Sequence, residues 1–288
     1  DLDLKGSAGP VSAGGLTAGK LEAALRLKDG RLDIDKLALT DVSGANLSAT
    51  GAIDGFPDQP SGNLDAAIVA DDLGPLAAVL GERYPDNRVA AALARRLSGL
   101  AELGRDARIN LVATATQANG EPQYALSAGG TMGGGEFTLA YSATGSPFAP
   151  DRIDVDLTAE NKDGAALLAL YGLPTLPLVD AGPATTELTL KGAPDKGLET
   201  HGKLSGDTAT AAFDGTVTVL PETVTAQGKA RIEGADLEPW LGAAGVTLPG
   251  MGLGIPAELA ADLTLSPEHL KIGNLDGSIG EVALSGDL

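Results

Sequence analysis

The chain has 288 residues, 43% of them hydrophobic but only 3% aromatic, and a formal net charge of −19. That much apolar material supplies a core and excludes a disordered chain, whereas nucleic-acid binding needs clustered Lys and Arg that this acidic balance denies. The absence of cysteine removes disulfides, thiolate nucleophiles and cysteine-ligated zinc together.

From the first residues, Asp1-Leu2-Asp3-Leu4-Lys5-Gly6 reads as an alternating strand with no signal peptide ahead of it, and Val282-Ala283-Leu284-Ser285 alternates again at the other end. Both ends read as cut from a longer protein. Leu21, Ala23, Leu25 and Leu27 then share one face opposite Lys20, Glu22, Arg26 and Lys28; after a Lys28-Asp29-Gly30 turn, Leu32 and Ile34 oppose Arg31, Asp33 and Asp35. This is a hairpin with one apolar and one wet face. The same period of two continues through Leu47, Ala49, Gly51 and Ile53, through Ala107, Ile109, Leu111 and Ala113, and through Phe137, Leu139 and Tyr141. It resumes at Ile153, Val155, Leu157 and Ala159, at Leu188 and Leu190, at Phe213, Val217 and Val219, at Val224, Ala226, Ala230 and Ile232, and at Leu259, Ala261, Leu263 and Leu265. Roughly sixteen strands follow from this criterion. They are too closely spaced for parallel crossovers and so are mostly antiparallel.

Helical spacing is confined to three short segments: 72–80, with Asp72 as N-cap; 88–103, with Val89, Ala92, Leu93, Leu97 and Leu100 in phase; and 163–171. Each is aliphatic enough to lie on the apolar face or to plug its edge. The charge-free stretches 164–179 and 240–257 are too short or too broken by Pro174, Pro177, Pro249 and Pro256 to span a bilayer. They read as buried loops and helix ends, or as edges that touch lipid. Trp240, the single tryptophan, reads as a core anchor or as an interfacial lip.

An alternating strand running into a short aliphatic helix occurs three times, at 63–81, 153–172 and 229–242. Recurring units of this kind mark an elongated architecture in which each unit contacts mainly its neighbours. The expected organisation is one continuous domain of four units, 1–103, 104–181, 182–254 and a truncated 255–288.

Three short helices are too little cover for one apolar sheet face, which must then pack on a second sheet, close into a barrel, or hold something that is not protein. Sixteen strands at about 4.8 Å make an open ribbon on the order of 75 Å long, and strands of about eight residues make it roughly 26 Å across. The expected fold is mainly β: a long curled antiparallel sheet forming an apolar groove, with a few short helices packed on it or capping it. Its candidate lining is Leu25, Leu27, Leu32, Ile34, Ile109, Leu111, Ile153, Val155, Leu157, Val217, Val219, Leu263 and Leu265.

The strand–helix units, the run from Leu25-Arg26-Leu27-Lys28 to Lys36-Leu37-Ala38-Leu39, and the following Gly44-Ala45-Asn46-Leu47-Ser48-Ala49-Thr50-Gly51 together resemble the AsmA family. That family is grouped with TamB-like proteins of the Gram-negative envelope. The ending, from Ile255-Pro256-Ala257-Glu258-Leu259 through Leu270-Lys271-Ile272 to Gly286, is similar to another copy of the module. The resemblance implies a periplasmic β-groove protein held in the inner membrane by an N-terminal helix, which conducts phospholipid acyl chains and supports outer-membrane biogenesis together with outer-membrane components. This sequence departs from the family in lacking the anchor helix. The family brings no catalytic motif.

Catalytic chemistry has little to stand on. His201 and His269 are far apart, and neither an HExxH nor a GxSxG motif occurs. Gly14-Gly15-Leu16-Thr17-Ala18-Gly19-Lys20-Leu21 imitates a phosphate loop, but Leu21 stands where magnesium needs a hydroxyl and a strand follows where phosphate needs a helix. The pairs Asp33/Asp35 and Asp154/Asp156 could hold calcium or act as glycosidase carboxylates, yet both fall on the wet side of their strands. The expectation is a non-enzymatic protein without metal, cofactor or catalytic residue. The alternatives are a structural or adhesive β protein whose apolar face is buried against itself and, less favoured, a β-rich hydrolase of envelope polymers.

Overall fold

A computed structural model describes residues 1–13, 16–55, 61–86, 91, 94, 95, 97, 101–118, 120–146, 149–171, 175, 181–220, 223–247 and 252–287. The architecture is mainly β. Among the described residues there are seventeen strands and three short α-helices, and every pairing recorded within the two units below is antiparallel. Compactness divides the chain into Asp1–Ile153 and Asp154–Leu288.

The first unit is a meander of β3 (Leu16–Lys28), β4 (Arg31–Val42), β5 (Ala45–Asp54), β6 (Ser61–Asp72), β7 (Arg105–Ala118), β8 (Glu121–Met132) and β9 (Gly135–Gly145). Two pieces, β1 (Leu2–Ala8) and β2 (Val11–Ala13), share the free edge of β3. Cross-strand register carries the alternation from strand to strand. One row runs Leu25, Ile34, Gly51, Leu64, Ala113, Leu126, Tyr141, and the next runs Leu27, Leu32, Ile53, Gly62, Ala115, Tyr124, Ala143. Because a strand's side chains alternate between faces, these rows are all on one side of the sheet.

The opposite side is wet. Glu22 lies between Lys20 and Lys36 at 2.6 Å from each, which holds its carboxyl down at about 2. Asp35, displaced by a bulge in the β3–β4 pairing, takes both donors of Arg26, and Arg31 bridges Asp33 and Asp54. Exposed pairs of this kind contribute little stability each, but they commit the face to solvent.

Between β6 and β7 stands α1 (Gly74–Arg83). The helix starts two residues later than the sequence pattern predicts, with Pro75 in its first turn, so Leu73 and not Asp72 holds the N-cap position; Asp72 instead accepts from Gly74 N at 2.8 Å just ahead of the helix. Segment 88–103 lies mostly outside the described residues, although Ala91, Ala94, Leu97 and Leu103 are buried. At this end of the sheet Val42, Ala45, Ala70 and Ala107 form a fully covered row, each at most 4% exposed. Here lies the unit's core.

β10 (Pro150–Asn161) crosses the division point. The second unit continues with α2 (Gly164–Leu170), β11 (Ala184–Ala193), β12 (Gly197–Gly206), β13 (Ala209–Val219), β14 (Val224–Gly234), α3 (Glu238–Ala243), β15 (Ala257–Leu265), β16 (Leu270–Ile279) and β17 (Val282–Gly286). From β11 to β17 each strand pairs with the next. Asp163 caps α2 through Ala165 N, as its place before an aliphatic run predicts.

The three strand-to-helix corners share one hydrogen-bond plan. Leu73, Gly164 and Leu237, each entering a helix, donate to Gly104, Gly182 and Ile255, each just ahead of the returning strand. An Asp beside each donor, namely Asp72, Asp163 and Asp236, accepts a backbone N–H at the helix start through its carboxylate, Asp163 as the N-cap itself. The recurring strand–helix pattern thus has a physical cause: each corner ties the strand leaving it to the strand returning.

Candidate functional site

On the apolar side of β5–β9 lies a cavity of about 310 Å³. Its walls are Ile53, Leu64, Ala113, Ala115, Tyr124, Leu126, Tyr141 and Ala143, with Ser61, Gly62, Asn63, Thr114 and Ala125 completing them. All five strands contribute, so this stretch of the face is concave, and four inter-strand spacings make it about 19 Å long. The apolar wall residues belong to the last two register rows, at the hairpin end of the sheet and away from α1. Leu64, Leu126, Tyr124 and Tyr141 are only half-buried. An aliphatic surface left partly open across five strands forgoes about 25 cal/mol for every Å² it could have buried.

Glycine makes the hollow. A side chain at Gly62, whose φ is +151°, would run into the Ala52 carbonyl, and one at Gly51 would run into Asn63 of the neighbouring strand. Strands that crowd each other on one face bend toward it, and bare backbone there leaves volume beneath the flanking Ile53 and Leu64.

In the first unit the candidate lining falls where alternation places it. Leu25, Leu27, Leu32, Ile34, Ile109 and Leu111 all lie on the same face as the cavity, with Leu25 opposite Ile34 and Leu27 opposite Leu32. None of the six touches the cavity itself. Ile34 and Ile109 are buried, whereas the others are half-buried. The residues that enclose the hollow include Tyr124 and Leu126 on β8, a strand that the sequence reading passed over. Its signal was present in the alternation of Tyr124, Leu126 and Ala128 with Gln123, Ala125 and Ser127.

The second unit brings Val217, Leu198, Ala226 and Leu265 into one register row and places Leu263 in the next, so Val217, Leu263 and Leu265 share a face. Val219 is in the same alternation and is buried. On β10, Ile153 and Val155 are 3% and 7% exposed, so they are core residues, while Leu157 is half-buried. Aromatic rings lie against four of this unit's glycines. The Phe213 ring lies over Gly215 and Gly228, and Trp240 lies against Gly164 and Gly206 beside Ala165, Ala181 and Ala243. Trp240 is therefore an anchor for a helix end. Tyr171, at the end of α2, bonds through its hydroxyl to Thr186, which donates in turn to Lys203 O at 3.0 Å; burial pushes this phenol up.

The groups with chemical potential are dispersed on the wet side. His201 bonds through Nδ1 to Asp214 at 2.6 Å and is raised above its ordinary value, chiefly by that bond. Asp33 and Asp35 are engaged by arginines, and Asp154 pairs with Lys191 at 3.0 Å. Among the described residues no cluster of three or more His, Asp or Glu side chains is arranged to hold a metal ion. No described helix is long and apolar enough to cross a membrane. Compared with protein-family models, with curated proteins and with solved structures, the chain matches none of them.

Proposed function

We propose that this chain is a non-enzymatic lipid-sheltering protein: its aliphatic sheet face holds an acyl chain while the polar end of the lipid remains in water. The observation that carries the proposal is the cavity over β5–β9, apolar and concave, its Leu and Tyr walls only partly covered. A lining of Ile, Leu and Ala offers near-equal sites and few directional hydrogen bonds, which suits movement along the face better than tight capture at one point. The resemblance to the AsmA family extends the proposal to a periplasmic setting, tethering to the inner membrane through an N-terminal segment of a longer protein, and phospholipid transport toward the outer membrane.

Native mass spectrometry with lipid extraction, on protein produced in a Gram-negative periplasm, tests this reading. Bound phospholipid is expected, and Leu64→Asp with Leu126→Asp should remove it while the circular dichroism spectrum and melting temperature stay close to those of the parent. Charging Val155 would be a poor test, since a residue 7% exposed belongs to the core. A stable, monomeric and lipid-free protein would instead favour the structural reading, in which the face is closed by its own chain.

A further inference from the structure

We infer that the trough over β5–β9 takes amphiphiles with neutral or zwitterionic headgroups and disfavours anionic ones; the inference rests on the acyl-chain reading. Any lipid seated there presents its headgroup at the rim, and the rim's charge then decides which headgroup is tolerated. The five framing strands carry only two cations, Arg105 and Arg108, both at the start of β7 and so at the end away from the cavity. At the cavity end stand Asp54 and Glu121, with Asp65 on the wet face between them. The nearest cation across β4, Arg31, is consumed by Asp33 and by both oxygens of Asp54 at 3.0–3.1 Å. Lys28 lies a strand further away on the β3–β4 hairpin, and Asp151 beside Arg152 leaves no net charge past β9.

What the rim does supply is neutral. The polar side chains that face the hollow are those of Tyr124 and Tyr141, whose neutral phenol groups suit ester carbonyls and glycerol hydroxyls, while Ser61, Asn63 and Thr114 alternate onto the wet face. Against a chain of net charge −19 an anionic headgroup meets repulsion with no paired cation to offset it. Such repulsion acts over about 10 Å at 0.1 M salt and fades as salt rises.

The test uses the full chain and three probes with one acyl chain in common: a monoacylglycerol, a monoacyl phosphocholine and a monoacyl phosphate. Each is titrated calorimetrically below its micelle concentration at low and at high salt. The glycerol and phosphocholine probes should bind alike, and the phosphate probe at least about threefold more weakly at low salt, with the gap closing at 0.5 M. Glu121→Lys should narrow the gap at low salt without changing the glycerol probe. Equal or tighter binding of the phosphate probe at low salt overturns the inference and leaves the acyl-chain reading standing. Failure of all three probes to bind overturns both.

Discussion

Glycine beside the cavity of the first unit does different work from the four glycines that lie under aromatic rings in the second. In the first, Gly51 and Gly62 face the backbone of neighbouring strands, and Gly62 lines the cavity. In the second, Gly164 and Gly206 seat the indole of Trp240, while Gly215 and Gly228 lie under the ring of Phe213. One residue type lets strands crowd together beside the hollow and provides a socket where an aromatic side chain covers it. Trp240 and Phe213 cover glycines in the second unit, whereas Tyr124 and Tyr141 stand as half-buried walls of the hollow in the first.

The largest test of that contrast is Trp240→Ala. Removing an aromatic that packs on two glycines and a buried alanine cluster should cost about 3–5 kcal/mol, read as a lower urea midpoint followed by circular dichroism. Trp240→Phe should cost far less, partly because the indole Nε1 is buried without a hydrogen-bond partner, so losing it removes an unpaid desolvation. On the trough, Leu64→Asp should cost far less than Trp240→Ala, since its side chain is already partly in water. If Leu64→Asp proves as damaging as Trp240→Ala, the trough is core and the contrast collapses.

Next in size is the hollow's own glycine. Gly62→Ala forces a Cβ against the Ala52 carbonyl at a left-handed φ and should destabilise by about 1–3 kcal/mol. Gly6→Ala on the edge strand β1 is the control, because a Cβ there meets nothing within 4 Å. It should be neutral or stabilising by up to about 1 kcal/mol. Equal penalties at both positions would mean that strand entropy, and not close approach of the backbones, keeps Gly62 a glycine.

Alternation made the sheet and its apolar side legible: Leu25 faces Ile34 because both lie on the period-2 stripe that flanks the Lys28-Asp29-Gly30 turn. The corners were legible too, since Asp163 before Gly164-Ala165-Ala166-Leu167 is a helix start in residue chemistry alone. The position of the cavity was not. It depends on Gly51 and Gly62, which carry no side chain and therefore no hydropathy signal, and on how far neighbouring strands bend toward each other. β8 was missed because Pro122 opens it and Gly129-Gly130 interrupt its stripe, so Tyr124 and Leu126 stood as too short a run. Trp240 read as either a core anchor or an interfacial lip, because its sockets at Gly164 and Gly206 lie far from it along the chain and only folding brings them together.

A smaller effect tests whether the two units are built on the same corner. Asp163→Ala removes the carboxylate that accepts from Ala165 N in the second unit, and Asp72→Ala removes the one that accepts from Gly74 N in the first. Each should cost about 0.5–2 kcal/mol, and within error by the same amount, in matched denaturant melts. A large difference would mean that the shared hydrogen-bond plan conceals unequal packing beneath α1 and α2.

The smallest expected effect separates the units by pH. Both histidines, His201 and His269, lie in the second unit, so only there can an imidazole couple folding to pH near neutrality. His201 is raised, first by its hydrogen bond to Asp214 and then by Glu199. A raised folded value means that the native state holds the proton more tightly than the unfolded chain does. The resulting stabilisation is complete below the ordinary imidazole range and is lost as pH climbs through the raised value. Because the pair is fully in solvent the gain is slight, and the sharper readout is the titration itself. Asp214→Asn should move the His201 ring-proton midpoint, followed by NMR, back toward that of a free imidazole, leaving only the pull of Glu199 at 3.6 Å. An unmoved midpoint would show that the 2.6 Å contact is not kept in solution, and with it would go the close imidazole–carboxylate bond that couples this part of the second unit to pH.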